Sequence, residues 1–191
     1  MLLARMISPI STLGPGKRVG IWVQGCSKKC KGCISEELQV FDESKNIPVE
    51  LLKSIIEVEA KRNSCEGLTI SGGDPFEQPE ELYNLLKDLR PAFSDILVYS
   101  GYTFAEINRS NSMKKCLDFI DVLVDGRYID EMNIGESILY GSSNQKLYFL
   151  NSQLEEKYKN YELQGRKLKT FIHNNKVITV GIQERGIVNE R

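Results

Sequence analysis

Short apolar segments alternate with amphipathic segments along most of the chain, and this alternation predicts the secondary structure. Four segments rich in aliphatic and β-branched residues are predicted to be strands: residues 19–24, 67–71, 96–99 and 121–124. Apolar residues at helical spacing predict helices between them: residues 48–60, 79–89 and part of 103–117. Strands that alternate with helices favour right-handed crossovers and a parallel sheet with the helices outside.

The last third of the chain follows a different pattern. Residues 125–144 are polar and irregular, which predicts a long functional loop, because loops of that length are otherwise uncommon. Two segments, 167–173 and 176–182, flank a pair of asparagines and predict a terminal β-hairpin. We therefore expect an α/β fold in one domain of residues 1–191: an incomplete (βα) barrel with a parallel sheet and outer helices, plus a C-terminal β-hairpin.

Composition and charge exclude several classes of protein. The chain has 41% hydrophobic and 27% charged residues, which is ordinary for a globular domain and argues against disorder or a fibrous repeat. Its formal net charge of −1 offers no general attraction for nucleic acid or for anionic membranes. Arg5 interrupts the apolar residues near the start, so we expect neither a signal peptide nor a membrane span and predict a cytoplasmic protein.

Three of the five cysteines lie in one short segment, residues 25–33, which we call the cysteine loop. Cys26, Cys30 and Cys33 are too close in sequence to form mutual disulfides easily, whereas thiolates suit zinc and iron–sulfur clusters. A closed zinc site needs four ligands, and the chain has no second cysteine pair and only one histidine, His173. An iron–sulfur cluster is favoured, with zinc and uncoordinated thiols as alternatives. Three ligands on a four-iron cluster leave one iron open to a small molecule.

The second predicted strand ends in a turn formed by Gly72, Gly73 and Asp74, which we call the glycine turn. Glycines permit a close approach of the backbone to a ligand, although the same residues also form ordinary turns. No Gly-Lys-Ser/Thr follows, so the turn is not a P-loop. The glycine turn and the cysteine loop are both expected at the carboxyl ends of parallel strands, where active sites of α/β folds collect.

The spacing Cys-x3-Cys-x2-Cys after a strand, followed by the glycine turn, resembles the signature of the radical-SAM superfamily. The resemblance implies an incomplete radical-SAM barrel in which Cys26, Cys30 and Cys33 hold one 4Fe-4S cluster, and the open iron binds S-adenosylmethionine (SAM). It also implies that the glycine turn receives the ammonium group of SAM. Reduction of the cluster would cleave SAM to methionine and a 5′-deoxyadenosyl radical, which abstracts hydrogen from a substrate.

Three later segments resemble the corresponding parts of the anaerobic ribonucleotide reductase activating proteins: residues 99–103, 121–127 and 141–145. The resemblance runs over about residues 14–186 and implies further contacts with SAM. By that match, Ser100 and Asp125 lie near the ribose or methionine moiety, and Ser143 and Asn144 lie near the rim of the active site. Their composition is also typical of ordinary loops, which is the alternative interpretation.

These observations lead to one main hypothesis and two alternatives. The chain is expected to be a radical-SAM oxidoreductase that generates a glycyl radical on its partner, an anaerobic ribonucleoside-triphosphate reductase. A radical-SAM synthase acting on a small molecule or short peptide, and a metal-stabilised interaction module, are the alternatives.

The cysteine loop also carries three basic residues, Lys28, Lys29 and Lys31. They form either a solvated basic loop or a docking site for an acidic flavodoxin or ferredoxin that donates electrons. We expect Cys65 and Cys116 to be buried structural thiols.

Overall fold

The computed structural model describes residues 1–135, 137–173 and 176–184. Six strands form one sheet, and their order across the sheet is their order along the chain. They are β1 (Leu3–Ile10), β2 (Arg18–Val23), β3 (Gly67–Gly72), β4 (Asp95–Tyr99), β5 (Val122–Asp125) and β6 (Lys146–Phe149). The central strands β2 to β5 are parallel, whereas β1 and β6 pair antiparallel at the two edges.

Helices connect the parallel strands, as the sequence pattern predicts. The α-helices of the described chain are α1 (Val49–Asn63), α2 (Pro79–Leu89), α3 (Phe104–Arg109), α4 (Asn111–Lys114) and α5 (Glu155–Glu162). Each parallel crossover contains at least one of the first four, because parallel neighbours cannot be joined by a tight turn. A separate antiparallel hairpin follows α5 and consists of β7 (Lys169–His173) and β8 (Lys176–Val180).

The predicted α/β class, the four central strands and the C-terminal hairpin are confirmed, but the sheet is mixed rather than wholly parallel. The pattern does not predict β1, β6 or α5. The side chains of β1 and β6 are mostly half-buried, as suits edge strands, so they lack a clean alternation. The helix predicted within residues 103–117 divides at Ser110, whose hydroxyl caps the start of α4. The predicted hairpin turn at Asn174 and Asn175 lies outside the described residues.

The sheet buries apolar side chains on both faces. Every residue of β2 is buried, which explains its nearly continuous apolar sequence. One face of β2 to β5 packs against α1 and α2 in the largest hydrophobic cluster, which also contains the buried thiols of Cys65 and Cys116. The other face packs against Tyr158 and Tyr161 of α5 and, nearer β1, against Val180 of the hairpin. The segment after β6 therefore covers the face that α1 and α2 leave free.

A fully buried ion pair joins the amino ends of β2 and β4. Arg18 Nη1 lies 2.9 Å from Asp95 Oδ2, and their side chains are 0% and 1% exposed. Arg18 also donates to Thr69 Oγ1 at 2.6 Å, and Tyr158 OH donates to Asp95 Oδ1 at 2.7 Å. Burial by itself raises the pKa of the Asp95 carboxyl, but the charge and hydrogen bonds of Arg18 outweigh it and hold the pKa below its usual value. The pair thus ties the sheet to α5.

We predict that Arg18→Met and Asp95→Leu each lower the free energy of unfolding by about 3–5 kcal/mol, because either change leaves one buried charge without its partner. Urea denaturation at pH 7 measures the effect as a lower midpoint with an unchanged slope. Lys157→Met is the matched control. Its Nζ lies 3.4 Å from Asp95 Oδ2, but its side chain is 40% exposed, so the loss should stay below about 1 kcal/mol. A wild-type midpoint for either single variant would contradict the prediction.

Candidate functional site

The residues singled out in the sequence collect at one end of the sheet. The cysteine loop follows β2, and the glycine turn closes β3. Ser100 follows β4, and Asp125 is the last residue of β5. All four strands are parallel, so their carboxyl ends lie along the same edge, where ligand sites of α/β folds form. This edge is the candidate functional site.

The three cysteines of the loop are free, half-buried thiols. Cys33 N donates to Cys30 O at 3.3 Å, and Cys26 N donates to Gln39 O at 3.0 Å, so both ends of the loop are fixed. Burial raises the pKa of the Cys26 and Cys33 thiols, and a charge on Cys33 would raise that of Cys26 further. The surroundings of Cys26 and Cys33 therefore disfavour the thiolate form of both side chains in the metal-free protein.

The type and number of donors on the cysteine loop bear on the kind of metal site. Among the residues that the structure describes, no group of three histidine, cysteine, aspartate or glutamate side chains is arranged around a single point as ligands of one ion. In a four-iron cluster each thiolate binds a different iron, so the sulfurs stand further apart. The donor set of three soft thiolates on one loop fits a cluster of this kind.

The glycine turn lies directly on the backbone of the cysteine loop. Gly73 N donates to Val23 O at 2.8 Å, and Asp74 N donates to Gly25 O at 2.9 Å. Gly72 has φ +114°, and a Cβ on Gly73 would lie only 2.2 Å from Gly25 O. A side chain at either glycine would separate the two backbones. The two motifs recognised in the sequence are thus held together by main-chain contacts.

Asp74 is fully buried and binds the loop after β4. Its Oδ1 accepts from Phe76 N at 3.0 Å and from Ser100 Oγ at 3.1 Å, and its Oδ2 accepts from Gly101 N at 2.8 Å. Burial raises the pKa of this carboxyl to about 6, while the hydrogen bonds and the charge of Lys28 act in the opposite direction. The structure therefore brings Asp74 and Ser100 together, and the carboxylate fixes the loop that carries Ser100.

Asp125 and the loop of Ser143 and Asn144 lie next to one another. Asp125 is buried, and its Oδ2 accepts from Phe104 N at 2.6 Å at the start of α3. Asn144 Nδ2 donates to the carbonyl of Arg127 at 2.8 Å, which joins its loop to the end of β5. Asn144 Oδ1 is buried and accepts no hydrogen bond, whereas Ser143 is exposed. A buried acceptor without a donor marks a place where a bound group can supply one.

Sequence reasoning misses two residues that support the site. Glu77 Oε1 accepts from the backbone N of Ser27, at 3.1 Å, and from the Ser27 hydroxyl, and so fixes the start of the cysteine loop. Arg166 lies beyond α5 and donates to the carbonyls of Ser137, at 2.9 Å, and Gly141, at 3.3 Å. It thereby holds the segment that leads to Asn144. The contacts of Glu77 and of Arg166 each join distant parts of the chain, so no local sequence pattern predicts them.

Comparison with known proteins defines first a class and then a family. A family described as "4Fe-4S single cluster domain" matches residues 12–148, so the chain carries an iron–sulfur cluster domain. The "Anaerobic ribonucleoside-triphosphate reductase-activating protein" of Enterobacteria phage T4 is 34% identical over 148 residues, which cover 71% of this chain and 85% of that protein. Its namesake from Vibrio cholerae is 33% identical over 141 residues, covering 71% and 89%. The namesake from Escherichia coli K12 is 30% identical over 143 residues, covering 72% and 91%.

The chain therefore belongs to the family of anaerobic ribonucleoside-triphosphate reductase-activating proteins. The prediction of an iron–sulfur activating enzyme, made from the cysteine loop and the three later segments, is confirmed at this level. None of the helices within the described residues combines the length and apolar composition that a bilayer crossing requires.

We predict that Gly73→Ala disrupts the contact between the glycine turn and the cysteine loop. Its new Cβ would lie 2.2 Å from a backbone oxygen, which cannot move aside as a flexible side chain would. The free energy of unfolding should fall by about 1–3 kcal/mol, and the iron bound after reconstitution should fall with it. Gly16→Ala controls for backbone strain without a steric clash, since Gly16 has φ +77° and nothing lies within 4 Å of a built Cβ. It should lose about 1–2 kcal/mol of stability but keep the wild-type iron content. Wild-type iron content in Gly73→Ala would contradict the prediction.

Proposed function

We propose that this chain holds one 4Fe-4S cluster on Cys26, Cys30 and Cys33, cleaves SAM reductively, and generates a glycyl radical on an anaerobic ribonucleoside-triphosphate reductase. The observation that carries the proposal is the cysteine loop at the carboxyl ends of four parallel strands, in a chain of the activating-protein family. When bound, the cluster and SAM supply the electron transfer and the radical that removes a hydrogen atom.

The residues of the chain contribute binding, orientation and exclusion of water. The three thiols would lose their protons on metal binding, and burial raises the pKa of the Cys26 and Cys33 thiols in the free protein. The glycine turn brings backbone against the cysteine loop, where backbone carbonyls are candidates to accept from the ammonium of SAM. Asp74 contributes negative charge there, although its oxygens also bind the loop after β4. Asn144 offers a buried acceptor at the rim.

Ser100 and Asp125 are proposed to border the ribose or methionine moiety of SAM, and Ser143 the outer rim. Ser100 and Asp125 are 6% and 4% exposed, so they lie at the floor of the site, whereas Ser143 is exposed. The hydroxyl of Ser100 is fixed because it donates to Asp74 and accepts from Tyr102 N at 3.0 Å. Fixed polar groups lose little entropy on binding a ligand.

The fold and partners follow from the same proposal. We infer that residues 1–191 form a single domain built on an incomplete radical-SAM barrel, whose described strands end at β1 and β6 without pairing to each other. An open sheet leaves room for a protein loop that carries the target glycine. Exposed Lys29 and Lys31 provide positive charge for an acidic flavodoxin or ferredoxin in a cytoplasmic setting.

The deciding experiment reconstitutes the protein anaerobically and incubates it with SAM, dithionite and a candidate anaerobic ribonucleoside-triphosphate reductase. The proposal expects stoichiometric 5′-deoxyadenosine together with a glycyl radical signal by electron paramagnetic resonance. Formation of 5′-deoxyadenosine without a radical on the reductase would favour the synthase acting on a small molecule or peptide. A protein that binds no iron and leaves SAM intact would overturn the proposal.

We predict that Cys30→Ala abolishes reductive cleavage of SAM, because two thiolates hold a four-iron cluster poorly. Iron content and the visible charge-transfer absorption should both fall to background. Cys116→Ala provides the matched control, since Cys116 is buried in the hydrophobic core and burial raises the pKa of its thiol to about 12. Cys116→Ala should keep its cluster. Retained SAM cleavage in Cys30→Ala would refute the ligand assignment.

A further inference from the structure

Lys28 lies between the first two cysteines of the loop, but its side chain does not belong to the exposed basic surface. The Lys28 side chain is only 6% exposed, whereas that of Lys31 is 89% exposed. A buried ammonium cannot attract an electron donor at the surface as the exposed Lys29 and Lys31 can. The orientation of Lys28 therefore needs a different explanation, and its surroundings supply one.

The ammonium of Lys28 points between the loops that follow β3 and β4. Its Nζ lies 3.0 Å from the centroid of the Tyr102 ring and 3.8 Å from Glu77 Oε1. Its Cγ lies against Gly101, 3.0 Å from the position of a built Cβ. The aromatic face and the nearby carboxylate both attract the positive charge of the lysine. The Lys28 ammonium thus lies inside the candidate functional site.

Within the described residues, no side-chain acceptor lies within hydrogen-bond distance of this ammonium. A lysine ammonium carries three N–H donors, and Glu77 Oε1 at 3.8 Å is too far to accept one. That oxygen already accepts from Ser27, and the oxygens of Asp74 accept from Ser100 Oγ and from the backbone amides of Phe76 and Gly101. Lys28 Nζ therefore keeps donors that an incoming carboxylate can accept in charge-assisted hydrogen bonds.

Lys28 and Asp74 together present charges of opposite sign. They are close enough that the charge of Lys28 lowers the pKa of the Asp74 carboxyl. A carboxylate beside an ammonium is the electrostatic complement of the head group of a free α-amino acid, which carries the same two charges. In SAM, the methionine moiety has this head group.

We propose that Lys28 binds the carboxylate of the methionine moiety of SAM. This proposal rests on the proposed function, since it concerns the cofactor of the same site. With SAM bound, an oxygen of this carboxylate would accept from Lys28 Nζ. The amino end of the head group would then face Asp74 and the backbone of the glycine turn. The two ends of the head group are thereby distinguished by charge.

The test measures equilibrium binding rather than turnover. Wild-type and Lys28→Met proteins are reconstituted anaerobically, their iron is quantified, and dissociation constants are measured without reductant for SAM and for decarboxylated SAM. Lys28→Met should keep its iron and weaken SAM binding on the order of 10- to 100-fold, the loss of one charge-assisted hydrogen bond. Its affinity for decarboxylated SAM should equal that of the wild type.

Two further variants make the result specific. Lys28→Arg keeps the positive charge and should recover part of the affinity for SAM. Lys53→Met is the control, since Lys53 on α1 pairs with Glu57 at 3.1 Å and lies outside the site, and it should bind both ligands as the wild type does.

Several results would overturn the proposal. Unchanged or tighter SAM binding by Lys28→Met would show that the carboxylate does not need Lys28. Equal weakening of SAM and decarboxylated SAM would assign Lys28 to the shape of the cysteine loop, and so would loss of iron from both Lys28 variants. Failure of the proposed function has a different signature, because the wild-type protein itself would then bind no iron or no SAM.

Discussion

The close contact between two backbones, the glycine turn after β3 and the cysteine loop after β2, is the constraint on which the site depends. Gly73 and Asp74 donate to the carbonyls of Val23 and Gly25 across a gap that admits no side chain. Parallel pairing of β2 with β3 brings these segments to the same edge, but only glycine lets them meet. The position of the thiols relative to the rest of the site follows from this contact.

The acidic groups of the site act mainly on the protein itself. Asp74 fixes the loop after β4, Asp125 fixes the start of α3, and Glu77 fixes the start of the cysteine loop. Such hydrogen bonds pre-order the loops before a ligand arrives, which reduces the entropy lost on binding. The three thiols, the amide oxygen of Asn144 and the ammonium of Lys28 keep polar atoms that such contacts do not use. A ligand site typically combines an ordered frame with a small number of precisely placed polar groups.

Much of the fold could be predicted because the central strands are buried on both faces. β2 has no exposed residue, so its sequence is a continuous apolar run, and the amphipathic α2 begins and ends at the residues expected from its pattern. The cysteine loop could be predicted because its chemistry is encoded by residue type and spacing within one segment. β1, β6 and α5 could not, because edge strands and a polar helix with two buried tyrosines leave weak periodicity.

Sequence reasoning did not predict the inward orientation of Lys28 or the hydrogen bonds that Arg166 donates to the segment before Asn144. The two have a related cause. Each depends on residues far away in the chain, and a lysine in a polar loop has the same local pattern whether it faces solvent or a site. The segment after β6, which lies outside residues 12–148 matched by the family, nevertheless touches both ends of the sheet. Tyr158 binds Asp95 at the amino ends, and Arg166 holds the loop at the carboxyl ends. A protein trimmed to the boundaries of the shared family region would lose this brace, so the loop of Ser143 and Asn144 and the buried ion pair would loosen together.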